Sequence, residues 1–150
     1  MKFHFRHQNT TTVLLLLCIG LSSICSCTEK PDDEVKLPEN MEETIEFADP
    51  SMKRICILAY DDNNDGELSF EEAAKVTDLS LLKNLMVAGV TSFDEFKYFI
   101  NVKEIPEETF SSTSLSKITL PENLIAIRNR AFSGCKLTTI TIPDKVLTMD

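Results

Sequence analysis

The segment from Asp61 to Glu72 places oxygen-bearing residues at a spacing that suits a divalent cation. Ca²⁺ takes about six to eight oxygen ligands, and alternate positions of a tightly curled loop turn inward toward the ion. Gly66 falls where the chain must enter the φ > 0 region, which is unfavourable for a residue with a Cβ. The predicted metal ligands are Asp61, Asn63, Asp65, Glu67 through its carbonyl, Ser69 and Glu72.

Two simpler interpretations account for part of this segment. Asp, Asn and Gly dominate ordinary polar turns, and Ser69 with Glu72 has the spacing of a helix capping box. A turn alone does not explain why Leu68, Ser69 and Glu72 fall in step with the first half. The whole pattern resembles the twelve-residue loop of an EF-hand. The capping box is compatible with it, because the exit helix begins there.

EF-hand loops usually pair, and the sequence contains no second loop of this kind. Leu68, at position 8, is the apolar residue that ties such a loop to its neighbour, and a solitary EF-hand needs another partner to cover its apolar faces. Three carboxylates, from Asp61, Asp65 and Glu72, predict a moderate, structural site for extracellular calcium of about 10⁻³ M.

Helices are predicted on both sides of the loop. Asp49-Pro50 has the form of an N-cap followed by a proline in the first turn, and residues 70–76 form the second helix. The apolar residues that share one face of the first helix are Met52, Cys56, Ile57 and Tyr60.

A third short helix is predicted over residues 92–98, with Ser92 and Glu95 as its capping box. Four aromatic residues in and beside it could form a ligand platform. Their helical spacing favours a place in the core instead. These residues are Phe93, Phe96, Tyr98 and Phe99.

Residues 1–26 have the pattern of a cleaved signal peptide, with a basic start and an apolar run over residues 13–21. That run is too short to span a bilayer, which needs about 20 residues. Ile24-Cys25-Ser26-Cys27 resembles a bacterial lipoprotein signal with Cys27 as the lipidated residue, and a plain secretory signal is the alternative. Three acyl chains on Cys27 would anchor the protein stably.

Removal of the signal takes away both histidines, Lys2 and Arg6, and changes the formal charge from −9 to −11. Such an acidic chain is a poor ligand for nucleic acid. The mature chain has no histidine, no nucleophile motif and no Gly-rich phosphate loop. We therefore expect that it is not an enzyme and has no catalytic residues. Cys27, Cys56 and Cys135 remain. If Cys27 carries lipid, the compartment would permit a disulfide between Cys56 and Cys135, but we expect two free buried thiols.

Residues 27–44 are acid-rich and contain Pro31 and Pro38. This composition cannot bury enough apolar surface to order itself, so we predict a disordered tether. The run Lys30-Pro31-Asp32-Asp33-Glu34 resembles the acidic export signal of surface lipoproteins in Bacteroidetes-type bacteria. An ordinary solvated tether has the same composition.

The last third of the sequence repeats with a period of 22 residues, which predicts a solenoid of stacked coils. Ile140-Thr141-Ile142 is predicted to be a strand that Pro143 ends. Residues 131–135 are predicted to be a turn with Phe132 in the core. The corresponding positions are Val102, Ile105 and Phe110 with Leu124, Ile127 and Phe132; residues 118–121 with 140–143; and Leu124 and Ile127 with Val146 and Met149.

Residues 120–143, LPENLIAIRNRAFSGCKLTTITIP, resemble the BspA-type leucine-rich repeats of bacterial surface proteins. The resemblance extends over roughly residues 45–150. It departs at Cys135-Lys136-Leu137, which is one residue short of the usual unit. The resemblance implies surface display and binding or adhesion rather than catalysis.

The predicted fold is therefore α+β. A helix–calcium loop–helix region over residues 45–100 caps a short leucine-rich repeat solenoid over residues 101–150, after the signal peptide of residues 1–26 and the tether of residues 27–44. Solenoids need about three repeats or more. Because the third coil stops in mid-repeat, we expect the sequence to be truncated.

We expect a calcium-binding lipoprotein anchored in the outer membrane and exposed at the cell surface, which binds host or bacterial surface proteins or glycans. A dockerin-like assembly module is the alternative, although such modules carry two loops in tandem. A glycan-binding or hydrolytic accessory protein is a third. Candidates for an exposed binding face are Lys117, Thr119, Thr139 and Thr141, although threonine is also a plain strand former.

Overall fold

Three short helices come first in the described part of the chain, residues 35–149 of a computed structural model, and short strands follow. The signal peptide, Cys27 and the first part of the predicted tether lie outside the described residues. The helices are α1, Pro50–Tyr60; α2, Phe70–Lys75; and α3, Ser80–Leu85. The strands are β1, Ser92–Phe93; β2, Glu104–Ile105; β3, Lys117–Ile118; β4, Ala126–Ile127; and β5, Thr148–Met149, with a 3-10 helix over Asp94–Tyr98.

Helix α1 begins as its sequence predicts. Asp49 is the N-cap, its side chain accepts hydrogen bonds from the backbone N–H groups of Ser51 and Met52, and Pro50 opens the first turn. Met52 and Cys56 are buried on the predicted face, and the structure adds Ile55 to it. The proline costs nothing here because the first N–H groups of a helix have no partner within it.

Helix α2 carries the predicted capping box. The Ser69 hydroxyl accepts from the backbone N–H of Glu72 at 3.2 Å, and the Glu72 carboxylate accepts from the backbone N–H of Ser69 at 2.9 Å. Two N–H groups that the short helix cannot satisfy are thereby paired. The prediction of this capping box is confirmed.

The capping box predicted at Ser92 and Glu95 is wrong. Ser92 lies in β1, where parallel pairing with Lys117 keeps the backbone extended, and the 3-10 helix begins two residues later without a side-chain cap. Glu95 is buried and accepts a hydrogen bond from the backbone N–H of Ala48 at 2.9 Å. A partner distant in sequence therefore replaces the local contact that the spacing suggested.

The predicted core position of the aromatic residues is confirmed. Phe93, Phe96 and Phe99 are fully buried, and Tyr98 packs against the same core. Phe93 stacks on Phe96 with ring centroids 5.0 Å apart. A single hydrophobic cluster extends from Ile45 through these rings to Ala131.

The repeat period reappears as the register of a parallel ladder. Strands β2, β4 and β5 lie side by side, so Ile105 pairs with Ile127 and Ile127 pairs with Met149, each 22 residues further along the chain. Phe110 and Phe132, also 22 residues apart, stack with ring centroids 5.3 Å apart and an interplanar angle of 7°. Phe110 is fully buried, and Phe132 is half-buried.

The strand predicted at Ile140–Ile142 is wrong. These residues form no strand, and the ladder uses positions 126–127 and 148–149 instead. Of the equivalent residues one repeat earlier, 118–120, only Ile118 lies in a strand, β3, which pairs with β1 rather than with residues 140–142. An alternating apolar pattern thus marks inward-facing side chains without ensuring a backbone partner.

Cys56 is buried, Cys135 is half-buried, and both are free thiols. Burial, followed by the nearby charge of Glu95, raises the pKa of the Cys56 thiol well above its usual value. Across residues 35–149 the structure contains no helix with the length and apolar character needed to cross a membrane.

Candidate functional site

The predicted metal loop links α1 to α2, and Asp61 organises its first turn. One carboxylate oxygen of Asp61 accepts from the backbone N–H of Asn64 at 2.8 Å, and the other accepts from that of Gly66 at 3.0 Å. Asn64 and Gly66 have positive φ angles of 60° and 84°. The glycine predicted from the pattern therefore lies at a left-handed position, where the absence of a Cβ lowers the energy of the turn.

Asn63 and Asp65 form the middle of the loop and contact each other. The Asn63 side-chain oxygen accepts from the backbone N–H of Asp65 at 2.8 Å, and its Nδ2 donates to Asp65 Oδ2 at 2.9 Å. Asp65 Oδ1 accepts in turn from the backbone N–H of Glu67 at 2.8 Å. Both side chains are exposed, so these oxygens remain accessible from solvent.

Glu72 joins the two ends of the loop and is almost completely buried. Its Oε1 accepts from the backbone N–H groups of Asp62 and Asn63 at 3.0 and 3.3 Å, and its Oε2 accepts from the Ser69 hydroxyl at 2.8 Å. Burial by itself raises the pKa of Glu72, but the hydrogen bonds from Ser69, Asn63 and Asp62 outweigh it and lower that pKa. The buried carboxylate is therefore ionised at neutral pH.

The side chain of Glu67 takes no part in this network. It forms an ion pair with Lys53 of α1 at 2.6 Å, with both side chains substantially exposed. Glu67 is predicted to bind the metal through its backbone carbonyl, and the side-chain ion pair does not conflict with that prediction.

The donor set suits calcium in its chemistry, since all predicted ligands are carboxylate, amide, hydroxyl or carbonyl oxygens. Beside the loop lies a polar cleft of about 390 Å³. Within residues 35–149, however, no group of three or more His, Cys, Asp or Glu side chains is arranged to hold a metal ion. The carboxylates of Asp61, Asp65 and Glu72 accept hydrogen bonds from backbone N–H groups instead. Calcium binding therefore requires these three carboxylates to converge.

The sequence did not predict the contact between this loop and residues 41–45. Thr44 forms an antiparallel bridge with Ser69, and the backbone N–H of Ile45 donates to the carbonyl of Leu68 at 2.7 Å. Composition had assigned Thr44 and the residues before it to the tether. The single apolar residue Ile45 is too weak a signal to indicate a strand.

The four residues proposed for an exposed binding face are all exposed. Lys117 forms an ion pair with Asp94, and the Thr119 hydroxyl donates to the same carboxylate at 3.1 Å. Asp94 therefore partly neutralises the lysine and fixes one end of this face. Thr139 and Thr141 occupy the equivalent positions one repeat later.

A second, apolar groove of about 340 Å³ lies beside β5, at the last strand of the ladder. Ile127, Phe132 and Ile142 line it, together with Met149. Met149 and Leu147 are 66% and 83% exposed, so apolar side chains face solvent at this end of the ladder.

Comparison with known proteins supports the repeat assignment. Residues 86–150 match the model of the family described as a BspA type leucine rich repeat region. No curated protein and no solved structure matches the chain. The matched segment contains all of the 22-residue ladder and less than half of the sequence. Leucine-rich repeats generally serve protein binding or adhesion and are typically non-enzymatic.

Proposed function

We propose that this chain is a calcium-stabilised, lipid-anchored surface protein whose leucine-rich repeat solenoid binds proteins or glycans on other surfaces. The observation that carries the proposal is the agreement between the family match over residues 86–150 and the parallel ladder with its 22-residue register. Stacked repeats present successive equivalent side chains on one surface, which suits recognition of an extended partner.

In this proposal the helical region is the cap of the solenoid. The first coil would otherwise expose apolar surface. Phe110 of the first coil packs against Phe93 and Phe96, with ring centroids 6.3 and 6.0 Å apart. Tyr60, at the end of α1, packs against Phe99 at 5.9 Å. The same rings thereby link the repeats to the helix that leads into the metal loop.

Calcium would stabilise this cap and would have no catalytic role. When bound, it supplies positive charge that neutralises the acidic loop and fixes its curvature. Asp61 and Asp65 would hold it at the exposed side, and Glu72 would hold it from the buried side. Because Glu72 belongs to α2 and Asp61 ends α1, an ion between them would restrain the angle between the two helices.

Isothermal titration calorimetry tests this site directly. The chain is titrated with Ca²⁺ in chelator-treated buffer, and with Mg²⁺ as the competing ion. We expect one site that saturates at about millimolar Ca²⁺ and discriminates against Mg²⁺, which prefers a smaller octahedral site. The absence of heat and of ion uptake by equilibrium dialysis would exclude the calcium site and leave the repeat proposal standing.

The anchor is proposed from residues outside the described part of the chain. Cys27 would carry the acyl chains and place the protein in the outer membrane, with the acidic segment after it favouring surface exposure. Metabolic labelling with a palmitate analogue tests this assignment, with Cys27→Ala as the test variant and Cys25→Ala as the matched control. Label that persists in Cys27→Ala and disappears in Cys25→Ala would contradict it.

The binding face is tested with an array of host extracellular-matrix proteins and surface glycans. For any ligand that binds, the double variant Lys117→Glu and Thr139→Glu should weaken binding at least about tenfold, since it changes equivalent positions in successive repeats. Glu122→Lys, an exposed charge reversal between those repeats, is the control. Equal binding by both variants would place the contact elsewhere.

A further inference from the structure

Residues 41–45, which we call the clasp, pair with the far side of the metal loop. Besides the Ile45 to Leu68 hydrogen bond, the backbone N–H of Phe70 donates to the carbonyl of Glu43 at 3.0 Å. The N–H of Glu71 donates to the carbonyl of Met41 at 2.8 Å. The antiparallel bridge between Thr44 and Ser69 lies between these bonds. The clasp therefore supplies the partner strand that a solitary loop lacks.

The pairing is anchored by burial at one end. Ile45 is 2% exposed and Leu68 is fully buried, and both belong to the main hydrophobic cluster. Toward the chain start, Glu43 and Thr44 are exposed and Met41 is half-buried. The free energy of pairing thus depends on the burial of Ile45 and on three backbone hydrogen bonds. Such a short pair has a stability small enough to respond to a ligand.

Ser69 connects the clasp to the proposed metal ligands. It forms the bridge with Thr44, and both its N–H and its hydroxyl donate to Glu72 Oε2. Glu72 Oε1 reaches the opposite end of the loop at Asp62 and Asn63. One buried carboxylate therefore lies between the bridge and the loop.

We propose that pairing of the clasp and calcium binding by the loop are positively coupled, so that each strengthens the other. This inference rests on the calcium site proposed above. Ser69 must be extended and the first turn of α2 must be ordered for the clasp to pair, and the loop must be ordered for its carboxylates to converge. Whichever event comes first removes part of the entropy cost of the second. Coupling of this kind is reciprocal in the two binding free energies.

Hydrogen–deuterium exchange of the full chain in detergent, with saturating Ca²⁺ and with chelator, measures the coupling. The amides of Ile45, Phe70 and Glu71 should exchange at least about fivefold more slowly with Ca²⁺. The amide of Ile125, which donates to the carbonyl of Lys103 in the repeats, serves as the internal control. Unchanged exchange at the clasp amides in a chain that binds Ca²⁺ would overturn the coupling and leave the calcium site intact.

The reverse direction is measured by calcium affinity. Ile45→Ala removes most of the buried contact of the clasp and should weaken Ca²⁺ binding at least about fivefold. Ile105→Ala makes the same change in a fully buried residue of the repeats and should lower stability without changing the affinity. If Ile45→Ala does not fold, Ile45→Val is used, with a smaller effect of the same sign. Equal Ca²⁺ affinities of Ile45→Ala and Ile105→Ala would contradict the coupling. If the unaltered chain does not bind Ca²⁺, both the coupling and the calcium site are overturned.

Discussion

The carboxylate of Asp49 joins the start of α1 to Thr91, 42 residues later in the chain. One oxygen accepts from the backbone N–H and the hydroxyl of Thr91 at 2.6 and 2.7 Å, and from the N–H of Ser92 at 3.3 Å. The other caps the helix through Ser51 at 2.7 Å and Met52 at 3.3 Å. This buried side chain therefore fixes both the first turn of α1 and the approach to β1.

Replacement of this carboxylate should destabilise the protein. Asp49→Ala removes the helix cap and leaves the donors of Thr91 without their partner, at a cost of about 2 kcal/mol in the free energy of unfolding. Urea denaturation followed by circular dichroism measures it. Asp78→Ala is the matched control, because Asp78 accepts from Ser80 in an exposed local turn and its loss should cost under about 1 kcal/mol. Equal losses would contradict the long-range role of Asp49.

The same contacts predict a pH dependence of stability. Burial raises the pKa of Asp49, but the hydrogen bonds from Thr91, Ser51 and Met52 outweigh it and lower that pKa from 3.8 to about 2. Because the folded pKa lies below the unfolded one, the stabilisation is fully present above about pH 4 and is lost as the pH falls toward 2. It amounts to about 2 kcal/mol.

Measurement of the unfolding free energy between pH 2 and pH 6 tests this prediction, in buffer without calcium. The curve for Asp49→Asn should be flatter than that of the unaltered chain over the acidic limb. The lowered pKa of Glu72 acts in the same direction and remains in the variant. Parallel curves would show that Asp49 titrates normally in the folded state.

Calcium should raise the thermal stability through Glu72. A ligand at 100 times its dissociation constant adds about 2.7 kcal/mol to the folded state. Glu72→Gln should abolish most of that gain, since a neutral amide is a weaker ligand for Ca²⁺. Glu71→Gln is the control, because Glu71 is exposed and pairs with Lys75. Differential scanning calorimetry with Ca²⁺ and with chelator gives both values, and an equal calcium response in the two variants would assign the ion to another site.

Gly66 should tolerate substitution poorly for conformational reasons alone. Its φ is +84°, and a Cβ built there meets no atom within 4 Å, so no clash is involved. Gly66→Ala should therefore cost about 1 kcal/mol from backbone strain. Gly89→Ala, at a site with equal space and no positive φ, should be neutral or slightly stabilising. Chemical denaturation of Gly66→Ala and Gly89→Ala isolates the contribution of backbone strain to the free energy of unfolding. Equal effects of the two substitutions would argue against strain at Gly66.

The sequence predicted the features that depend on neighbours along the chain. The N-cap at Asp49, the capping box of Ser69 and Glu72, and the left-handed position of Gly66 all follow from local spacing, and the structure contains each of them. The 22-residue period likewise predicted which residues stack in the ladder, because equal spacing returns equivalent side chains to the same place in each coil.

Other features could not be predicted because they depend on partners distant in the sequence. Ser92 and Glu95 have the spacing of a cap, but β3 pairs with Ser92 and the backbone at Ala48 engages Glu95. The second oxygen of Glu95 is buried without a hydrogen-bond partner, which no local pattern indicates. Ile140 to Ile142 alternates like a strand and still lies outside the ladder.

What the sequence by itself determined is the left-handed turn at Gly66, the first turns of α1 and α2, and the period of the repeats, since these are set within a few residues or by repetition along the chain. Only the tertiary structure decided that Asp49 binds Thr91, that Ile45 pairs with Leu68, and where each two-residue strand lies. Strands and helices this short carry little intrinsic preference of their own. Their positions follow from the partner that the folded chain brings to them.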